Sequence, residues 1–339
     1  MPTVSRRLSR SALVGLVVWS GLLLVPLGGD GALELGAHLV LLAPLVLVPL
    51  YLDAALPFTV DRRTDPVLAT ASWLILPGAL AAAASFLTPA GPLAGALVVP
   101  WGLATAAVAA WALRTAWRRW RGGGLGAPEA VLAVGLASLP GGAVWLFFAR
   151  AGLDPGPYGP LVVLLTAAHF HYAAFAAAVW SGLLGRALAD RSAGLRRAHA
   201  ASAAGLVVGF WLVAFGIAAS RGPAGGAVLE TVGVVVLVVS AVATGGLGVA
   251  LGPTLDDRWG GLMVAVSGAS LAFAMGLSLW FNVGPRLGVG SPDVAWMLPR
   301  HGWLNAVGFG LWGALGWRRL RPRPAPPASA GVAAMGGAA

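Results

Sequence analysis

Two of the five histidines in this chain, His169 and His171, sit inside a long apolar run, Thr166-Ala-Ala-His-Phe-His-Tyr172. Imidazole can hold a proton, ligate a metal or hydrogen-bond a solute. Full charges at the centre of a bilayer cost about 2.5–3.5 kcal/mol on insertion scales, so ionisable groups there mark stability given up for something. On a 3.6-residue helix the two rings point about 200° apart, so they cannot ligate one metal without local distortion. Thr166, His169 and Tyr172 share one face, and Ala167, His171, Ala174 and Ala178 share another. A second stripe, His301, Asn305, Gly308 and Trp312, recurs at i, i+4, i+7 and i+11. His38 is a third, shallower candidate.

The elements that carry these side chains follow from composition. The 339 residues are 58% apolar and 10% charged, against about 25% charged in ordinary soluble domains. Reading for runs of roughly 20 apolar residues gives ten spans, at 11–28, 35–52, 67–87, 93–113, 130–149, 158–185, 201–219, 228–251, 260–281 and 299–317. Arg6, Arg7 and Arg10 precede the first run as in a secretion signal, but no small-residue cleavage site follows, so we read an uncleaved helix. The expected fold is all-α, a polytopic transmembrane bundle of about ten spans. Residues 1–320 form one domain, and 321–339, rich in Pro, Ala and Gly, form a disordered cytoplasmic tail.

The net charge of +10 contains no lysine. With the N-terminus inside and the spans alternating, 18 arginines fall on the inner side. Only Arg150, Arg221, Arg286 and Arg300 fall outside. That asymmetry follows the positive-inside rule and places both termini in the cytoplasm of a multi-pass protein of the cell membrane. It also assigns the basic residues to topology, so nucleic acid is not an expected partner. Cysteine is absent, which removes disulfides and thiolate chemistry.

In this orientation the polar residues gather in the outer half. His169 lies about 16 Å into the sixth span, near the midplane. Glu34, His38, Glu230, Asn282, His301 and Asn305 lie at outer ends, and an outward-facing polar cavity is the expected arrangement. Plainer readings stand beside it. Glu34 and Glu230 complement helix N-termini, and Asn282 caps a C-terminus. His199 is a solvated loop residue, Glu129 after Pro128 starts a helix, and the mid-span histidines are interhelical hydrogen bonds. Small residues at Gly268, Ala272 and Gly276, and at Gly302, Ala306, Gly310 and Ala314, suggest that the ninth and tenth spans pack through these stripes.

The runs TAAHFHYAAFAAAV (166–179) and RHGWLNAVGFGLWGALGW (300–317) resemble the paired signatures of the YndJ-like family of bacterial integral membrane proteins. The matching positions are His169, Phe170, His171, Tyr172, Ala173 and Phe175, then His301, Gly302, Asn305, Ala306, Gly308 and Phe309. Ala174 stands where a glycine is expected, and an added C-terminal soluble region of some members is lacking. The resemblance covers two spans and implies a membrane protein of about ten spans with no established substrate, sometimes labelled a transporter.

Three functions are weighed. One is a transporter with a His/Asn-lined cavity for a small solute or ion, in which His169, His171, Tyr172, His301, Asn305 and His38 are substrate or proton-relay candidates. Another is a haem or metal protein using His169, His171 and His301, the identity of any cofactor being open. The third is a non-catalytic assembly or sensory partner. No catalytic motif argues for an enzyme, and a chain without lysine has no phosphate-binding Gly-Lys loop. Neither the solute nor the oligomeric state is encoded in a recognisable motif. In this cysteine-free background, a cysteine at Trp120 is expected to react with impermeant reagents only from inside, and one at Gly156 from outside. The opposite pattern would refute the orientation.

Overall fold

A computed structural model describes residues 2–27, 29, 31–56, 65–219 and 226–323. Among them it contains ten helices and no strand. They are α1 (Pro2–Leu22), α2 (Gly31–Ala55), α3 (Pro66–Ser85), α4 (Pro92–Arg121), α5 (Ala127–Ala151), α6 (Pro160–Ala187), α7 (Ala193–Ala219), α8 (Gly226–Leu251), α9 (Arg258–Val283) and α10 (294–320). Each contains one of the apolar runs or most of it, and eight of them, α2 to α9, are long and apolar enough to cross a membrane. Arg62, Arg63, Arg221 and the tail beyond 323 lie outside the described residues.

Local chemistry sets the helix ends. Pro66, Pro92 and Pro160 occupy first helical positions, where no N–H is needed. Asp65, Asp257 and Asp293 accept backbone N–H bonds as N-caps of α3, α9 and α10. Gly152, at φ 72°, closes α5 in the left-handed conformation that glycine adopts without strain.

Helix α2 is the hub. Ninety-four per cent of its most apolar stretch is buried, against 33–67% for the other seven, so its uninterrupted hydrophobicity faces protein on all sides. The remaining helices turn apolar side chains such as Trp73, Leu103 and Phe273 outward, as a lipid-facing surface requires.

Ion pairs tie one end of the bundle. Asp53 at the end of α2, fully buried, meets Arg318 at 3.0 Å and Arg321 at 2.7 Å, and these reach Ser9 and Ser5 of α1. Asp65 meets Arg118 at 3.5 Å and Arg114 at 3.8 Å. Glu129 is buried between Arg186 at 3.1 Å and Arg119 at 4.0 Å. The Arg319 guanidinium, bonded to Asp257 at 2.7 Å, holds that carboxyl below the usual carboxylate range. All these arginines belong to the group assigned inside. Their end of the bundle is therefore built from carboxylate pairs, and Glu129 is an ion-pair partner as well as a helix-start residue. His199 is also corrected: it is 2% exposed, and its Nε2 lies 2.8 Å from the Ser181 carbonyl. Because α7 starts at Ala193, His199 belongs to a helix, and side-chain-free Gly185 leaves its ring room against α6.

The small-residue stripes pack differently from expectation. Helices α9 and α10 do touch, but through Gly308 against Ser270, Gly313 against Ser267 and Gly316 against Met263. Gly268 instead faces Gly245 of α8. A Cβ on either would strike the other's carbonyl, and Gly252 and Gly261 repeat the arrangement seven residues on. Gly276 faces open space. Gly268→Ala is therefore expected to cost about 1–3 kcal/mol of overpacking, and Gly276→Ala less than about 0.5 kcal/mol. Thermal unfolding in detergent reads the difference.

Candidate functional site

Three helices carry a π-helical stretch, Ala43–Leu47 in α2, Phe170–Ala176 in α6 and Leu304–Leu311 in α10, and the three pack against one another. Such stretches are rare and often lie at functional sites. Pro44 accounts for the first, since it lacks the N–H that a regular turn requires. No proline lies in the other two.

Hydroxyl groups bond carbonyls in and beside these stretches. Tyr51 donates to Gly310 at 3.1 Å, Ser267 to Phe309 at 2.7 Å, and Tyr172 to Leu39 at 2.7 Å. The bonds join α2, α6, α9 and α10 into one frame around the site.

Within this frame lies a cavity of about 260 Å³, lined from α2, α6, α7, α8, α9 and α10. It runs from Ala177, Ala241 and Phe309 inside the bundle to Phe281 and Val294, where α9 ends and α10 begins. His169, Tyr172, His301 and Asn305 all face it, and Ser278 is the fifth polar residue. The rest of the wall is apolar, including Leu237, Met275, Met297 and Phe281. The expected polar cavity is thus a largely hydrophobic one with a few convergent polar groups, the usual composition of a small-molecule site.

Each imidazole is fixed by its backbone. His169 Nδ1 lies 2.7 Å from the Leu165 carbonyl, and His301 Nδ1 lies 3.0 Å from that of Ala274. A carbonyl only accepts, so Nδ1 carries the proton, and the neutral ring keeps its lone pair on Nε2. Asn305 Nδ2 donates to the His301 carbonyl at 2.8 Å, which holds the second stripe in place.

His171 and His38 do not reach this cavity. His171 is 0% exposed; its Nδ1 bonds the Ala167 carbonyl at 2.8 Å, and its Nε2 accepts from Trp101 Nε1 at 3.3 Å. Gly142 provides the space for its ring. Both nitrogens are engaged, so His171 joins α4, α5 and α6 and has no lone pair for a metal. His38 lies near the start of α2, where Nε2 bonds the Leu22 carbonyl at 3.0 Å while Trp19 donates to the His38 carbonyl. It fastens α1 to α2. Among the described residues no group of three or more His, Asp or Glu could hold a metal.

Trp101, Tyr51, Ser267 and Ser278 were not singled out in the sequence. Isolated Trp, Tyr and Ser residues in apolar runs carry no spacing signal. Glu230 and Asn282, read separately as end-of-helix residues, bond each other at 2.8 Å.

Fold and lining together define a multi-pass α-helical membrane protein with an intramembrane histidine-bearing cavity. The chain belongs to the YndJ-like protein family, whose model matches residues 38–309 and so takes in both histidine motifs. It is 28% identical over 196 residues to the uncharacterized membrane protein YndJ of Bacillus subtilis (strain 168). That stretch covers 58% of this chain and 34% of the relative, so the chain spans about a third of the relative's length. No solved structure matches.

The geometry separates His169 from His171. His171→Ala opens a void beside Trp101 and is expected to cost about 2–5 kcal/mol, whereas His169→Ala should stay within about 1 kcal/mol. Unfolding temperatures of the two variants in detergent test this order.

Proposed function

We propose that the chain is a solute-binding membrane protein of the transporter type, with both termini cytoplasmic, residing in the cell membrane. The cavity opens toward the outer side and holds the permeant against His169, His301, Asn305 and Tyr172. The observation that carries this reading is the convergence of four polar side chains from α6 and α10 on one mostly apolar cavity. The 18-to-4 arginine split supports the orientation. Among the described residues no Asp, Glu or Arg lines the cavity, so the permeant meets hydrogen-bonding groups and apolar walls rather than a fixed charge.

One observation favours a second reading. The rings of His169 and His301, on different helices, each turn a lone-pair Nε2 away from an anchored Nδ1, which is how metal-ligating imidazoles are commonly held. A two-coordinate copper ion would suit such a pair, whereas a haem macrocycle exceeds the 260 Å³ cavity. His171, with both nitrogens bonded, is not available to it.

Ser278→Cys places a thiol in the cavity wall. An impermeant methanethiosulfonate added to intact cells is expected to modify it, and Val294→Trp at the mouth, in the same background, to slow modification about tenfold or more, equivalent to roughly 1.4 kcal/mol. If the introduced thiol reacts only from the cytoplasmic side, or from neither, the reading is overturned. An absorbance spectrum with metal analysis of the purified protein decides the alternative. A stoichiometric metal lost in both His169→Ala and His301→Ala would establish it.

A further inference from the structure

The hydrogen-bond inventory of the cavity specifies a ligand class, on the premise that the cavity is a ligand site. The protons of His169 Nδ1 and His301 Nδ1 are committed to the carbonyls of Leu165 and Ala274. The Tyr172 hydroxyl proton is committed to Leu39. Left for a ligand are two imidazole Nε2 lone pairs, a phenolic oxygen lone pair and Asn305 Oδ1. Among the described residues neither Nε2 has a hydrogen-bond partner. Against these acceptors stand only one remaining Asn305 N–H and the Ser278 hydroxyl, the latter on the α9 wall. A ligand that only accepts would cover the imidazoles without pairing them, at a cost of about 1–3 kcal/mol for each polar group it buries.

Charge and size narrow the class further. With no ionic side chain among the described residues of the wall, neither a carboxylate nor an ammonium finds a counter-ion there, so the ligand is neutral. An apolar cavity on the order of 150 Å³ suffices for benzene, so 260 Å³ holds one ring with a short substituent. Phe281 and Phe309 offer ring faces, and Met275 and Met297 offer polarisable sulfur beside them. We propose that this cavity binds a neutral, ring-sized lipophilic molecule carrying a hydroxyl donor, a phenol or hydroquinone, with the donor shared between His169 Nε2 and His301 Nε2. The volume far exceeds a bare ion, and neither Asn305 nor a neutral Tyr172 is a strong metal ligand.

The test uses the full chain in lipid nanodiscs and three probes on one skeleton: 4-butylphenol, 4-butylanisole and 4-butylbenzoate. The readout is protection of the Ser278→Cys thiol from methanethiosulfonate, at equal probe concentration in the membrane. The phenol is expected to protect saturably, at least tenfold more tightly than the anisole, which differs by loss of the donor. The benzoate should not protect. His169→Leu combined with His301→Leu should abolish the preference, and the comparison among probes without those two changes stands even where that variant folds poorly. Equal or stronger protection by anisole or benzoate overturns the assignment, as does a phenol preference that survives in the double variant. A reactive thiol that no probe protects overturns the ligand class alone. An unreactive thiol overturns the cavity reading, and the ligand class falls with it.

Discussion

In hydrocarbon a backbone carbonyl without a partner has no water to turn to, so departures from regular helix persist only where protein supplies the missing bond. Three helices of this protein depart at neighbouring places, and the hydroxyls of Tyr51, Tyr172 and Ser267 bond carbonyls there. Each hydroxyl comes from a different helix than the carbonyl it meets. These bonds reach carbonyls in and beside the irregular stretches and cross between α2, α6, α9 and α10, and the cavity occupies the space they frame. Its histidines are held in the same way. The Nδ1 of His301 bonds a carbonyl of α9, so the ring orientation and the α9–α10 contact are one interaction.

The same constraint divides His169 from His171. A π-helical stretch begins at Phe170, between them. His169, on the regular side, bonds back to Leu165 and turns its other nitrogen to the cavity. His171, one residue inside the stretch, bonds back to Ala167 and spends its second nitrogen on Trp101. Two neighbouring imidazoles with the same kind of backbone anchor thereby acquire opposite uses, one open to a ligand and one closed as a joint between helices. Substitution at 169 leaves the joint of α4, α5 and α6 intact, because that joint rests on His171.

The spans were legible because twenty-residue apolar runs and arginine-rich turns are one-dimensional signals, and the ten runs fall on the ten described helices. The His169 and His301–Asn305 faces were legible for a related reason: polar groups in an apolar run are few, and helical spacing fixes which of them share a side. Partners across helices were not legible. Trp101 opposite His171, or Glu129 opposite Arg186, depends on which helices are neighbours, and ten similar apolar helices leave that choice open. His199 was misread because a basic run resembles a loop, while the chain had already begun α7. The glycine stripes misled because abundant Gly and Ala form stripes on several faces. Only the arrangement of neighbours selects Gly245 and Gly268 as the close crossing.

The ion pairs and the cavity sit toward opposite ends of the bundle, and the division has a physical logic. Asp53, Glu129, Asp65 and Asp257 take up arginines at the end where chain turns are basic, so fixed charges there compensate one another; the Asp53 pairs fasten α1, α2 and α10, and the Glu129 pairs fasten α4, α5 and α6. Toward the other end the cavity wall carries neutral groups alone. A fixed charge facing this apolar cavity would demand a counter-ion from any ligand, whereas imidazole, amide and phenol demand only a hydrogen bond. Charge pairing at one end and neutral hydrogen-bonding groups at the other let the same bundle be tightly fastened and still hold a space among its apolar side chains.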